Sequence, residues 1–217
     1  MAEVRTGIRA VLQRPWAYEA LQTLMGAERA IPRFVERYVR PRPGDRVLDI
    51  GCGTARLAPH LGEVTYIGYE PNGAYVKRAL AEQGSRIEVH QGTFDEEAAR
   101  SLDPVDLVVL SAVLHHLNDA QARSLFSLLS SVLKLDGRVV TIDNSFVDGQ
   151  HPIARLLIRM DRGLNVRTPE AYAELPAPFF EAVSGEVRHQ AWIPYTFWHM
   201  ECSRPKAPRG AVRAINP

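Results

Sequence analysis

Two groups of residues have types and spacings that suit chemistry. The first is the stretch Val47–Leu57, VLDIGCGTARL, in which Asp49 stands two residues before Gly51, Cys52 and Gly53. An apolar run ending in a glycine turn lets the backbone turn sharply and come close to a ligand. Glu70, nineteen residues after Gly51, closes the next apolar run, VTYIGYE. A carboxylate at that place suits paired ribose hydroxyls, which both donate hydrogen bonds. The second group is His115 and His116, which follow the run VDLVVLSAVL, with Asp143 and Asn144 further along. A histidine titrates near neutral pH and can take a proton from a nucleophile. It can equally shape a loop and do no chemistry.

Glycines and Glu70 fit a nicotinamide dinucleotide and S-adenosylmethionine equally well. Asp49 separates them. A carboxylate beside a pyrophosphate is repelled, and like charges ~4 Å apart cost about 4 kcal/mol at an effective dielectric near 20. S-adenosylmethionine has no phosphate and carries an α-ammonium and a sulfonium, both of which an aspartate attracts. The third glycine of the dinucleotide fingerprint is also replaced, by Arg56. The alternative for Asp49 is a cap on a following helix, and for Glu70 a solvated strand end.

These residues need a frame, and the hydropathy pattern supplies one. From Arg46 the chain alternates strand and helix. Strands fall at RVLDI, Val64–Glu70, Arg86–Gly92, VDLVVLSAVL and Val139–Asp143. Helices fall at TARLAPHL, NGAYVKRALAEQG with Asn72 as N-cap and Gly84 as stop, FDEEAARSL and Asp119–Lys134, and DGR turns the chain into the fifth strand. GEVRHQAWI and YTFWHMECS read as a closing hairpin. This is a doubly wound α/β sheet, whose ligands bind beyond the carboxyl ends of the strands. Residues 1–43 read as an N-terminal helical cap punctuated by Pro15 and Pro32, and 44–204 as the main domain. A lid insertion covers about 145–167, with a helix in HPIARLLIRMDRG, and Thr168 caps the helix after it. Residues 205–217 read as a flexible, Pro-rich tail.

Bulk properties narrow the classes. The 217 residues suffice for one core, and the formal net charge of +1 gives no general pull toward nucleic acid or an anionic membrane. No apolar run approaches a membrane span, and the N-terminal residues mix charge too finely for a signal peptide. Cys52 and Cys202 are the only cysteines and lack metal-ligand spacing, so a reduced, cytoplasmic protein without a metal site is expected.

The stretches VLDIGCGTA, YIGYEPN, HQGTFDE, VDLVVLSAVLHHL and LKLDGRVV, in this order over about Arg46–Asp143, resemble the class I S-adenosylmethionine-dependent methyltransferases. The LHHL form is similar to the small-molecule branch that includes the ubiquinone-type enzymes. The resemblance implies a seven-stranded Rossmann-like sheet in the order 3-2-1-4-5-7-6 with strand 7 antiparallel. It implies S-adenosylmethionine as cofactor, leaving S-adenosylhomocysteine as product. Asp49 and the backbone of Gly51, Cys52 and Gly53 would face its methionine part. Glu70 would bind the ribose, Pro71 and Asn72 would flank the adenine, and Thr93 and Phe94 would border it. Family members often carry aspartate where Thr93 stands, and Ala55 replaces a common glycine. Ser111, Ala112 and Val113 would lie beside the methionine carboxylate and sulfonium.

The expected reaction is in-line methyl transfer to an oxygen, carbon or nitrogen of a small molecule, with His115 or His116 as base. Adjacent side chains diverge, so one of the two is expected to face the pocket. Tyr18, Gln22, Asp143, Asn144 and Arg155 are candidate acceptor contacts. Arg155, Arg159, Arg162 and Arg167 in the insertion either select an anionic acceptor or form a solvated face. The Asp/Asn-Pro-Pro-aromatic motif of base methylases is replaced by SAVLHH, and no basic stripe points to nucleic acid. A monomer or homodimer is expected. Two alternatives remain at this point: a cofactor-binding protein of the same fold with a non-methylating reaction such as cyclisation, and a nicotinamide oxidoreductase.

Overall fold

The computed structural model describes residues 27–160, 163–190 and 194–206. Its centre is a seven-stranded sheet. In chain order the strands are β1 (Arg46–Ile50), β2 (Thr65–Glu70), β3 (Ile87–Gln91), β4 (Val105–Ser111), β5 (Leu133–Asn144), β6 (Phe180–Gln190) and β7 (Tyr195–Pro205). Their spatial order is β3-β2-β1-β4-β5-β7-β6, as expected. The first five pair in parallel, and β7 is antiparallel to both β5 and β6. The helices are α1 (Ala27–Phe34), α2 (Gly73–Gln83), α3 (Glu96–Ser101), α4 (Asp119–Val132), α5 (Pro152–Arg159) and α6 (Pro169–Ala173).

The central strands feed one core on each face, because successive side chains alternate. Leu48, Val108 and Val139 join Phe126, Leu129, Tyr172 and Phe180 on one face. Val47, Val109 and Val140 join Phe34, Val39 and Leu61 on the other. The central strands β1 and β4 are apolar on both faces, as burial on both sides requires. Asn72 and Thr168 cap helices as the sequence suggests, and the structure adds one cap more. The Asn72 carboxamide accepts from the Ala74 amide at 3.0 Å, and Asn118 and Gln121 form a capping box at the start of α4. Thr168 caps α6.

Three local expectations are corrected. TARLAPHL is not an α-helix; it is a run of turns ending in one 3-10 turn, Ala58–His60. Gly53 (φ 57°) and Ala55 (φ 54°) are left-handed, and Pro59 removes an amide and disfavours helix for the residue before it. DGR does not separate α4 from β5. The strand begins at Leu133, and its register against β4 jumps from Val105↔Leu133 to Leu107↔Arg138, so residues 134–137 form an irregularity within it. Pro32 does not break α1, which runs through it and widens into a π turn at Val35–Val39. The rest of the expected cap, with Tyr18 and Gln22, lies outside the described residues, as does most of the tail. Among the described residues no helix is long and apolar enough to cross a membrane.

Phe126 on α4 is fully buried and meets Phe180 of β6 edge-on, with ring centroids 6.3 Å apart. It ties the parallel half of the sheet to the edge hairpin. Phe126→Ala should destabilise the fold by about 3–5 kcal/mol, seen as a lower urea midpoint with an unchanged slope.

Candidate functional site

The glycine turn and the loop after β4 come together at the carboxyl edge of the sheet. β1 lies between β2 and β4, so Asp49 is flanked by Gly68 and Val109. Its side chain is buried, and one oxygen accepts a hydrogen bond from the Tyr66 hydroxyl at 2.7 Å. The other oxygen, Oδ1, is buried without a hydrogen-bond partner. Desolvation drives the carboxyl pKa up from 3.8 to about 7, against the lowering effect of Tyr66.

The turn itself is drawn onto β2. The Gly51 and Cys52 amides donate to the Tyr69 carbonyl at 2.7 and 3.2 Å. Glu70 is buried, and its two carboxylate oxygens accept from the Gly53 amide at 3.0 Å and the Asn72 amide at 2.8 Å. Glu70 therefore shapes the cleft as well as lining it, and each carboxylate oxygen can accept a further bond. Gly51 is left-handed (φ 69°), and a Cβ there would stand 2.8 Å from Val113 Cγ2. Gly68 makes room for Cys52, whose Sγ would lie 2.7 Å from an added Cβ. Burial, then the Asp49 charge, pushes the Cys52 thiol well up, so it is no nucleophile.

Ala112 adopts φ 59° and turns the chain off β4, its amide held by the Ile142 carbonyl at 2.8 Å. Ser111 is exposed, Ala112 half-buried and Val113 buried against the turn. Thr93 is exposed, whereas Phe94 is turned into the core, edge-on to Tyr69 at 5.2 Å. Phe94 as an adenine border is therefore corrected: its ring is spent on packing, and Tyr69 is the half-buried aromatic beside it. Pro71 is half-buried at the end of β2.

The histidines differ from expectation. A 3-10 turn, Leu114–His116, brings the two rings together, with centroids 4.2 Å apart and planes tilted by 41°, so they do not diverge. His115 is buried, and its Nδ1 lies 2.8 Å from Asp143 Oδ1, which also accepts from the His115 amide at 3.2 Å. Asp143, a candidate acceptor contact, is buried; its Oδ1 is taken up by His115, and its Oδ2 has no hydrogen-bond partner. Burial raises its pKa and the bonds to His115 oppose that rise. Strand alternation sends Asn144 to the opposite face, the face of Asp49. Asn144 is 4% exposed, and its Nδ2 has no hydrogen-bond partner.

The insertion's arginines take different places. Arg167 donates to the carbonyls of Leu114 (3.0 Å) and Leu117 (2.7 Å) and pairs with Asp119 at 2.7 Å. It therefore staples the histidine loop instead of meeting a ligand. Arg155 is exposed and sits over the Phe146 ring at 5.5 Å. Arg162 lies outside the described residues. Sequence reasoning missed Tyr66 and Gly163; the first is legible only from the β1–β2 register, the second only from three-dimensional packing. Among the described residues no group of three or more His, Cys, Asp or Glu could hold a metal ion.

The cleft fits the cofactor that the resemblance implies. Buried Asp49 Oδ1 lacks a partner, and an ammonium donor would supply both its hydrogen bond and its counter-charge. A pyrophosphate would supply neither.

Comparison with known proteins agrees. A family model described as a methyltransferase domain matches residues 23–177. An uncharacterised methyltransferase of Bacillus pumilus is 30% identical over 139 residues, covering 60% of this chain and 64% of that one. The ubiquinone biosynthesis O-methyltransferase of Salmonella paratyphi A is 35% identical over 102 residues, covering 44% of this chain and 41% of that one. Among solved structures, the S-adenosylmethionine-dependent methyltransferase SibL has a TM-score of 0.70 at 19% identity, covering 92% of this chain and 60% of its own. A TehB-like methyltransferase from Corynebacterium glutamicum has a TM-score of 0.60 at 15% identity, covering 88% and 98%. The chain thus spans less than two thirds of the Bacillus pumilus relative and of SibL.

Because the folded state raises the Asp49 pKa, it binds that proton more tightly than the unfolded chain does. The corresponding stability is complete below the ordinary carboxylate range and is lost as pH rises through about 7. The melting temperature of ligand-free protein should therefore fall from about pH 5 to about pH 8. Asp49→Asn should fall less over the same range in thermal melts.

Proposed function

Since the chain belongs to the class I S-adenosylmethionine-dependent methyltransferases, we propose that it methylates a small molecule at an oxygen, nitrogen or carbon nucleophile. The observation that carries this reading is the buried Asp49 carboxylate with one oxygen unpartnered, set in a glycine turn opposite Glu70. When bound, the cofactor supplies a methyl group already activated on a sulfonium. The chain's own task is then to hold the cofactor, place the acceptor and remove its proton.

Asp49 would hold the ammonium group. Gly51, Cys52 and Gly53 would let the backbone approach, and Glu70 would accept from the ribose hydroxyls. Pro71, Asn72 and Thr93 would border the adenine, and Ser111, Ala112 and Val113 the methionine end. Asn144, on the same sheet face as Asp49, would offer its amide to an oxygen on the acceptor. Its buried donor without a partner supports that role, because such a group gains about 1–3 kcal/mol when it is satisfied. His116, half-buried beside the His115–Asp143 pair, is the general-base candidate, since His115 is committed to Asp143. The neutral overall charge and the absence of a basic stripe in the sequence support a small-molecule acceptor over nucleic acid.

Calorimetry should show S-adenosylhomocysteine binding and no NAD binding, and Asp49→Ala should weaken the former at least tenfold, roughly one charge-assisted hydrogen bond. Binding of NAD alone, or unchanged affinity in the variant, overturns the cofactor assignment. In turnover with candidate acceptors, the expected result is S-adenosylhomocysteine release with a one-methyl mass gain in the product. His116→Gln should lower kcat more than it changes KM. A product without the mass gain would instead mark a non-methylating reaction such as cyclisation.

A further inference from the structure

The insertion between β5 and α6 closes on itself and onto the histidine loop. Ser145 and Arg167 form a parallel bridge at its base, and the Ser145 hydroxyl donates to the Arg167 carbonyl at 3.0 Å. Beyond the base it meets the loop at three places. The Asn165 amide donates to the His115 carbonyl at 2.9 Å. Arg167 holds the Leu114 and Leu117 carbonyls. Gly163 lies against the His115 ring so closely that an added Cβ would overlap His115 Cδ2 and stand 2.7 Å from the His115 carbonyl oxygen. Gly163 is buried, so the methyl group has no open side to turn to.

A shift of the His115 ring to relieve that overlap would disturb its bond to Asp143. Asp143, at the end of β5, holds its Nδ1 at 2.8 Å and its amide at 3.2 Å. Two residues upstream, Val113 abuts Gly51, where a Cβ would lie 2.8 Å from Val113 Cγ2. The loop from Ala112 to Leu117 is thus held between two surfaces. On one side is the insertion; on the other is the turn that carries the proposed cofactor contacts. Packed interiors transmit displacement of this kind because they have little free volume.

We propose that Gly163 and Asp143 are positioning residues for the cofactor cleft. The bare backbone at 163 lets the insertion seat on the His115 ring that Asp143 holds, and the seated loop sets Val113 against the Gly51 turn. Seating of the insertion and affinity for the cofactor are then coupled. Anything that lifts the insertion loosens the cleft, and by linkage a bound cofactor favours the seated insertion. Neither residue touches the cofactor; both act through His115. This rests on the proposed cofactor site, and the assignment of His115 as a strut leaves the base role to its neighbour.

The test is a double-mutant cycle read by S-adenosylhomocysteine calorimetry. Gly163→Ala should raise Kd about tenfold while circular dichroism shows the fold retained. His115→Asn removes the ring that the new methyl meets, yet its carboxamide keeps a donor near the place of Nδ1 for Asp143. The combination of His115→Asn with Gly163→Ala should therefore bind more tightly than Gly163→Ala alone. General damage would instead make the pair worse than either single change. Arg167→Lys keeps the charge near Asp119 but loses the forked grip on the two carbonyls, and it should also weaken binding; it serves if Gly163→Ala does not fold. Wild-type affinity in both Gly163→Ala and Arg167→Lys, or a pair no better than Gly163→Ala, overturns the positioning role. Absence of binding by the wild type overturns the cofactor reading itself, which is a different result.

Discussion

A carboxylate at the middle of a parallel sheet is costly, and the arrangement of the cleft follows from how Asp49 is accommodated. β1 sits between β2 and β4, so Asp49 has no solvent beside it. One oxygen is satisfied by Tyr66 from the neighbouring strand. The other is left without a partner, and burial raises the pKa to about 7. A group in that state gains most from a buried cation that donates a hydrogen bond. The glycines of the turn supply the approach, because they leave no side chain between the backbone and such a ligand. Glu70 keeps the turn in place by holding the Gly53 and Asn72 amides.

The second wall of the cleft is built differently. Here the loop after β4 is held from behind. Asp143 fixes His115, Arg167 takes up the loop carbonyls, and Gly163 allows the insertion to come close. The result is a rigid support under Val113, which in turn meets Gly51. A rigid support suits methyl transfer, in which the protein contributes chiefly through placement. Of the insertion's cations, Arg167 serves the architecture as a staple, and Arg155 lies on Phe146 at the surface.

The sequence carries a large part of this arrangement in local form. Strand and helix periods, together with Asn72 and Thr168 as caps, act within a few residues and survive into the fold. Where the reading failed, a longer-range or stereochemical effect decided. TARLAPHL has helical composition, yet left-handed Gly53 and Ala55 and the missing amide of Pro59 leave only turns. His115 and His116 are expected to diverge, but a 3-10 turn brings their tilted rings together. Phe94 reads as a cleft aromatic and packs in the core.

By itself the sequence determined the alternation of strands and helices, the place of the glycine turn, and the choice of a cationic over a phosphate-bearing ligand, while the strand order came from its resemblance to a family. The first three follow from local periodicity, from the conformational freedom of glycine and from the sign of one charge. Only the tertiary structure decided which oxygen of Asp49 lacks a partner, that Asp143 Oδ1 meets His115, and that Gly163 abuts that histidine. Such facts depend on which side chains strand pairing and packing bring into contact across long separations, and no local pattern encodes that.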